Sequence, residues 1–80
     1  MHELGIMYHI VERVLDVVKA NGFTEVESIV LTVGEQSQVV PQYLHACYPA
    51  AVSGTMLEKT SLKVEVVNGD EFMIKEIHAR

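Results

Sequence analysis

Two alternating segments joined by Asn68-Gly69 constrain the fold of this chain more than any other feature. Apolar and polar residues alternate from Ser61 to Val67, and the alternation resumes from Glu71 to His78. Such alternation is typical of half-buried strands, and Asn-Gly is the dipeptide preferred in two-residue hairpin turns. We therefore predict two strands joined by a tight hairpin. Ile77 interrupts the alternation, which predicts either a bulge or a partly exposed last residue.

The rest of the chain carries helix and strand signals in turn. Apolar residues recur at three- and four-residue spacing from about Leu4 to Ala20, which predicts a helix, and Asn21-Gly22 closes it. Alternation from Glu27 to Val33 predicts a strand. A second helix is expected to begin near Pro41, because proline suits the first helical turn. Pro49 falls inside this segment, so we predict a kinked helix or two shorter helices split at Pro49.

The element order is helix, strand, helix, strand, strand, within 80 residues. A chain of this length forms one domain. We predict an α+β fold for residues 1–80, a two-layer sandwich in which two helices cover a three-stranded sheet. A helical crossover joins the first two strands, so these strands are expected to be parallel if they are neighbours.

Charge and composition exclude several classes of function. The net charge is −5 and the six Lys and Arg residues form no basic stripe, so nucleic acid is not expected as a partner. No apolar run is long enough to span a membrane, and the start lacks the features of a secretory signal, so we expect a cytoplasmic protein. Cys47 is the only cysteine, which excludes an intrachain disulfide and a CxxC site. We expect it to be a buried, inert thiol.

The first three residues, Met1, His2 and Glu3, carry the strongest functional signal. A free terminal amine, the next backbone nitrogens and the His2 imidazole are linked by short covalent paths, so they can close small fused rings around one metal ion. Deprotonated backbone nitrogens favour a flat four-nitrogen geometry, which indicates Ni(II) or Cu(II) rather than Zn(II). The alternative is an ordinary second residue on a frayed chain end.

The other candidate residues give weaker signals. His9 lies about two turns after His2 and can approach the same side of the helix, although a half-exposed or hydrogen-bonded histidine is the commoner case. We assign His45 and His78 structural or surface roles. The sequence contains no nucleophile elbow, HExxH motif or glycine-rich phosphate loop, and Glu35 has no identifiable partner for acid–base chemistry. We therefore do not expect an enzyme.

Taken in order, these segments resemble the HypA/HybF family, the nickel-insertion proteins of hydrogenase and urease maturation. The matching segments are MHELGI, VESIVLTVGEQSQVVP, LHAC, SGTMLEKTSLKVE and GDEFMIKEIHA. They cover almost the whole chain, and MHE and the Val-Gly-Glu loop are their most specific parts. The resemblance implies a nickel-binding metallochaperone domain that serves the maturation of nickel enzymes.

One departure from the family pattern is large. Members normally carry a zinc-binding module with two CxxC pairs between the second and third strands. This chain instead passes from SLKVEVV through a short turn near residues 68–70 into DEFMIKEI. It therefore resembles the nickel domain alone, and no zinc is expected. A natural shortened paralogue and an engineered deletion of the module remain as alternatives.

Carried over residue by residue, the resemblance assigns Ni(II) to Met1, His2 and Glu3. It implies that Met1 provides its amine, His2 its backbone nitrogen and imidazole, and Glu3 its backbone nitrogen. The Glu3 carboxylate is expected to tune or shield the site, or to contact the client.

The same resemblance implies a HypB-like GTPase and a hydrogenase or urease precursor as partners. An interaction module that keeps the fold without delivering metal is the alternative function. The missing zinc module also predicts a homodimer, through edge pairing or exchange of an element.

Overall fold

The computed structural model describes residues 2–80 and contains every element that the sequence predicts. The elements are α1 (Glu3–Asn21), β1 (Val26–Gly34), α2 (Pro41–Val52), β2 (Ser61–Val67) and β3 (Phe72–Ala79). Gly22 follows α1 with φ of 68°, the left-handed conformation that closes a helix. The three strands form one mixed sheet, so the predicted α+β class is confirmed. No helix in the described range is long and apolar enough to cross a membrane.

The sheet order is β2-β1-β3, so the predicted hairpin between β2 and β3 is wrong. β1 is the central strand, parallel to β2 and antiparallel to β3. The Asn-Gly preference concerns the shape of a turn and does not determine which strands pair. β1 is the most apolar strand, and the central position buries eight of its nine residues. The predicted parallel pairing of the first two strands is confirmed.

The β2–β3 connection passes across the carboxyl end of β1, where three backbone hydrogen bonds hold it. The N–H groups of Gly34, Glu35 and Gln36 donate to the carbonyls of Glu71, Val67 and Gly69, at 2.6, 2.8 and 2.8 Å. A Cβ atom on Gly34 would lie 2.8 Å from the Glu71 nitrogen and closer still to the Gly69 carbonyl. The crossing therefore depends on glycine at position 34.

Both helices pack on the face of β1 that carries Ile29, Leu31 and Val33, and this layer forms the hydrophobic core. Its fully buried side chains include residues from both helices, β1 and the turn before β2, namely Met7, Val14, Ile29, Leu31, Val33, Leu44 and Leu57. At one end of the core the Tyr48 hydroxyl donates to the Thr60 carbonyl at 3.0 Å, and the Thr60 hydroxyl donates to the Val26 carbonyl at 2.7 Å. These bonds connect α2, the start of β2 and β1.

The opposite face of the sheet, called the outer face below, carries Val30 and Thr32 of β1. Both are buried, and the register places Lys63 beside Val30 and Glu65 beside Thr32. The Lys75 ammonium reaches from β3 to the Glu65 carboxylate at 2.8 Å. Long charged side chains on the two flanking strands thus shield the central strand on this face.

A bulge in β3 explains the irregular position of Ile77. Val30 pairs with Glu76 and Leu31 with Ile74, so Lys75 is an extra residue. The extra residue resets the alternation and returns Ile77 to the core side, where it packs against the buried cluster. The predicted bulge is confirmed.

α2 is one continuous helix from Pro41 to Val52 and contains Pro49. The alternative of two shorter helices split at Pro49 is therefore wrong. Pro41 occupies the start of the helix, as predicted, because its missing N–H would have no helical partner there.

Candidate functional site

The amino-terminal end of α1 presents His2 at the surface. His2 is the capping residue of the helix, with φ of −108° and ψ of 69°, and its carbonyl accepts the Ile6 N–H at 3.0 Å. Its side chain is exposed, and within the described chain the imidazole makes no capping hydrogen bond. The imidazole nitrogens are therefore available to an external ligand, while the backbone of the same residue starts the helix.

The backbone nitrogens of His2 and Glu3 lie at the cap and the first helical position. The first four N–H groups of an α-helix have no intrahelical acceptor, so these two nitrogens are not part of the helical hydrogen-bond ladder. Helical bonding from residue 6 onward does not depend on them. Among the described residues, these backbone nitrogens therefore lie next to an exposed imidazole.

The Glu3 side chain turns inward and is 5% exposed. Its Oε2 accepts the backbone N–H of Val40, the capping residue of α2, at 3.4 Å. A carboxylate in the first helical turn is also favoured by the helix dipole. The carboxylate thus connects the beginnings of the two helices, and its burial argues against the predicted contact with a client.

An open groove of about 450 Å³ separates the start of α1 from α2. Its lining consists of His2, Glu3, Leu4, Gly5, Tyr43, Ala46 and Cys47. Leu4 and Tyr43 are 43% and 58% exposed, so the groove has an apolar rim. Cys47 is only partly buried, which corrects the prediction of a buried thiol.

The remaining histidines lie away from this groove. His9 lines a separate cavity of about 330 Å³ between α1 and β3, together with Arg13 and Phe72. His45 is exposed on α2. The His78 Nε2 lies 2.7 Å from Glu76 Oε1 on β3. The structure therefore does not bring His9, His45 or His78 together with His2.

Met1, the predicted amine ligand, lies outside the residues that the structure describes. Among residues 2–80, no three His, Cys, Asp or Glu side chains come together in an arrangement suited to a metal ion. The predicted site is of a different kind, since it draws on backbone nitrogens and one imidazole.

Sequence reasoning missed the parts of the site that depend on contacts distant in sequence. Glu3 and Val40 are 37 residues apart, and no local pattern marks their contact. Tyr43 and Cys47 occupy successive turns of α2, and this four-residue spacing was the one available signal that they share a helix face.

Fold and site together define a small α+β domain with an exposed histidine at the amino-terminal end of its first helix. A family described as "Hydrogenase/urease nickel incorporation, metallochaperone, hypA" matches residues 1–72. The chain belongs to this HypA family, which its description places among metal carriers rather than enzymes.

Several curated relatives carry the name "Hydrogenase maturation factor HypA". The chain is 36% identical to the protein of Rhizobium leguminosarum bv. viciae over 70 residues, covering 88% of this chain and 62% of the relative. It is 41% identical to that of Geobacter sp. (strain M21) over 69 residues, covering 86% and 60%. The match to the Methanosarcina mazei protein is 37% over 67 residues, covering 84% and 49%. The chain thus spans about half to three fifths of the length of these relatives.

A solved structure shares the fold. The chain superposes on the solution structure of the Ni metallochaperone HypA from Helicobacter pylori with a TM-score of 0.74 and 13% identity. The superposition covers 100% of this chain and 94% of the other. At this identity the likeness establishes the arrangement of helices and strands.

Proposed function

We propose that this domain binds Ni(II) as cargo at its amino terminus and delivers it during the maturation of a nickel enzyme. Four nitrogens hold the ion in a square plane: the Met1 amine, the His2 and Glu3 backbone nitrogens, and the His2 imidazole. Strong-field nitrogen donors in a plane suit Ni(II). The Glu3 carboxylate tunes the site from the buried side.

The observation that carries this proposal is the position of His2 and Glu3 at the start of α1. Their backbone nitrogens have no intrahelical acceptor to lose, so both can deprotonate and bind a metal while α1 stays intact. The exposed His2 imidazole supplies the fourth nitrogen and closes the last chelate ring within the same three residues.

Charge at the helix end also fits the proposal. The amino-terminal end of a helix disfavours a bare cation, because its dipole is positive there. Two deprotonated backbone nitrogens compensate the charge of Ni(II), so the bound complex adds no net positive charge at this end. Binding then releases protons, and affinity rises with pH.

The family to which the chain belongs supports a proposal for its partners. We propose that a HypB-like GTPase and a hydrogenase or urease precursor receive the nickel, in the cytoplasm. The sequence contains one cysteine, and we propose Ni(II) without zinc. We also propose that two copies of the chain form a homodimer.

A nickel titration of three proteins tests the site. Wild type should show the planar Ni(II) absorption spectrum, one proton-releasing site and tighter binding at higher pH. His2→Ala and a form with several non-histidine residues added before Met1 should each lose most of the affinity. The substitution removes the imidazole from the plane, and the extension moves the terminal amine too far along the chain to share an ion with the His2 imidazole. Mass spectrometry should verify that Met1 is present with a free amine.

Matched controls separate this site from adventitious binding. His45→Ala and His78→Ala remove exposed imidazoles elsewhere and should leave the spectrum and affinity unchanged. Cys47→Ser should also be silent, although Cys47 lines the groove beside His2. If wild type, His2→Ala and the extended form bind nickel alike, the metallochaperone proposal fails and the alternative of an interaction module is favoured.

A further inference from the structure

The described sheet has two outer edges, and β2 forms the more regular one. β2 and β3 each flank β1. A bulge at Lys75 distorts β3, whereas β2 pairs with β1 without a register break from Ser61 to Val67. Bulges discourage further pairing, while a regular edge presents backbone groups that can accept another strand.

The backbone groups on the free edge of β2 can be assigned from one hydrogen bond. The Val67 carbonyl accepts the Glu35 N–H at 2.8 Å, so it points toward β1. Along a strand the N–H and C=O of successive residues point to alternate edges. Lys63 and Glu65 therefore bond toward β1, and the backbone groups of Leu62, Val64 and Val66 point to the free edge.

The sequence of β2 complements itself when two copies run antiparallel about Val64. Lys63 of one copy then lies opposite Glu65 of the second copy on the outer face, and the reverse pair forms by symmetry. On the face of the helices, Leu62 lies opposite Val66 of the second copy, and the two Val64 residues meet at the axis. Opposite charges and apolar pairs directly across an antiparallel ladder are favourable.

In the single chain, the β2 side chains that would form these pairs are at least partly exposed or have unused charged atoms. Val66 is 55% exposed although it lies on the apolar side of β2. None of the ion pairs between described residues includes Lys63. Glu65 contacts Lys75 through Oε1 alone, which leaves Oε2 for a second cation.

We propose that two copies of this chain associate through antiparallel pairing of their β2 strands, with a two-fold axis at Val64. Leu62, Val64 and Val66 exchange backbone hydrogen bonds with the second copy, and the two sheets become one continuous sheet. The association is isologous, because the same strand serves both sides. It does not depend on nickel or on the amino terminus.

Charge-reversed variants test the dimer and also distinguish a weakened interface from a variant that fails to fold. Sedimentation equilibrium of wild type should show a monomer–dimer equilibrium. Lys63→Glu and Glu65→Lys each place like charges opposite one another at two symmetric positions, so each should weaken the dimer by about tenfold or more. Mixing the two variants restores both complementary pairs, because a β2 strand with two carboxylates at these positions then faces a β2 strand with two ammonium groups. Dimers should therefore reappear in the mixture.

Controls and a direct readout complete the experiment. Lys19→Glu makes the same charge change on α1 and should dimerise like wild type. Amide hydrogen exchange should slow with protein concentration at Leu62, Val64 and Val66. The proposal is overturned if wild type stays monomeric at every concentration, which would leave the edge to a strand of another protein. It is also overturned if Lys63→Glu dimerises like wild type, if the mixture stays monomeric, or if dimers form without slower exchange at these amides.

Discussion

Glu3 serves the fold through its side chain and the proposed nickel site through its backbone. The carboxylate is buried and accepts the Val40 N–H, whereas the backbone nitrogen lies in the exposed first turn of α1. Substitutions of the side chain can therefore separate the two tasks, because every residue except proline keeps a backbone nitrogen that can deprotonate.

Glu3→Ala should lower the free energy of unfolding by about 1–3 kcal/mol, because it leaves the Val40 N–H without its acceptor in a partly buried position. Glu3→Gln keeps an acceptor oxygen and should cost less. Both variants should keep nickel affinity within a few-fold of wild type. Urea unfolding and nickel titration on the same samples check both statements, and loss of nickel binding in Glu3→Gln would show that the carboxylate is itself a ligand.

The chemistry proposed for the site rests on three adjacent residues and stays a prediction, whereas the surroundings of these residues could not be predicted from the sequence. Short covalent paths from Met1 to Glu3 fix which nitrogens can share one ion, and this needs no tertiary structure. The contact between Glu3 and Val40, and the place of Cys47 beside His2, exist only after α1 and α2 have packed.

At the scale of the elements, periodicity predicted the helices and strands well. β2 spans the predicted residues, and the ends of α1 and β1 differ from the prediction by a single residue. Strand pairing was not predictable from the same signals. Asn68-Gly69 favours a turn, but it does not determine the strand order. β2 and β3 flank β1 because this arrangement buries Ile29, Leu31 and Val33 between neighbours on both sides.

Because the β2–β3 connection crosses close to Gly34, a single methyl group added at this position should destabilise the fold. Gly34→Ala should lower the free energy of unfolding by about 1–3 kcal/mol, because backbone atoms of Gly69 and Glu71 would have to move. Thermal unfolding measures the change. Gly5→Ala is the matched control, since a Cβ there meets no atom within 4 Å, and it should stabilise α1 by up to about 1 kcal/mol. Equal effects of the two substitutions would contradict the close crossing.

Replacing Pro49 should raise the stability of the fold, whereas replacing Gly34 should lower it. It lies on the exposed side of α2, inside the helix, where proline removes the hydrogen bond to the His45 carbonyl. Pro49→Ala restores an N–H donor and should raise the melting temperature. Pro41→Ala is the control at the start of the same helix, where no bond is missing, and it should give no gain. A lower melting temperature for Pro49→Ala would mean that proline defines the local backbone.

At the scale of the whole molecule, the bonds from Tyr48 to Thr60 and from Thr60 to Val26 connect both layers of the sandwich. Burial raises the pKa of Tyr48 from 10.0 to about 12, because the charged phenolate loses solvation in the core. The folded state therefore favours the neutral phenol more strongly than the unfolded state does.

This pKa difference predicts how stability depends on pH. The contribution of neutral Tyr48 is fully present below the unfolded value of 10.0 and is lost as the pH rises toward about 12. Urea unfolding across this range should show a decline in the free energy of unfolding, and Tyr48→Phe should make the decline shallower. Identical slopes for the two proteins would indicate that Tyr48 ionises equally easily in both states.

The central position of β1 also has a consequence for the order in which the sheet is assembled. β2 can pair with β1 once Val67 has left the ribosome, but the other side of β1 waits for β3 (Phe72–Ala79). Arg80 then holds this side, with backbone hydrogen bonds to Thr24 and Glu25. While β3 is still inside the ribosome, β1 has one unpaired edge, although it is the central strand of the finished sheet. A delay in the release of β3 leaves this edge able to pair with another nascent chain.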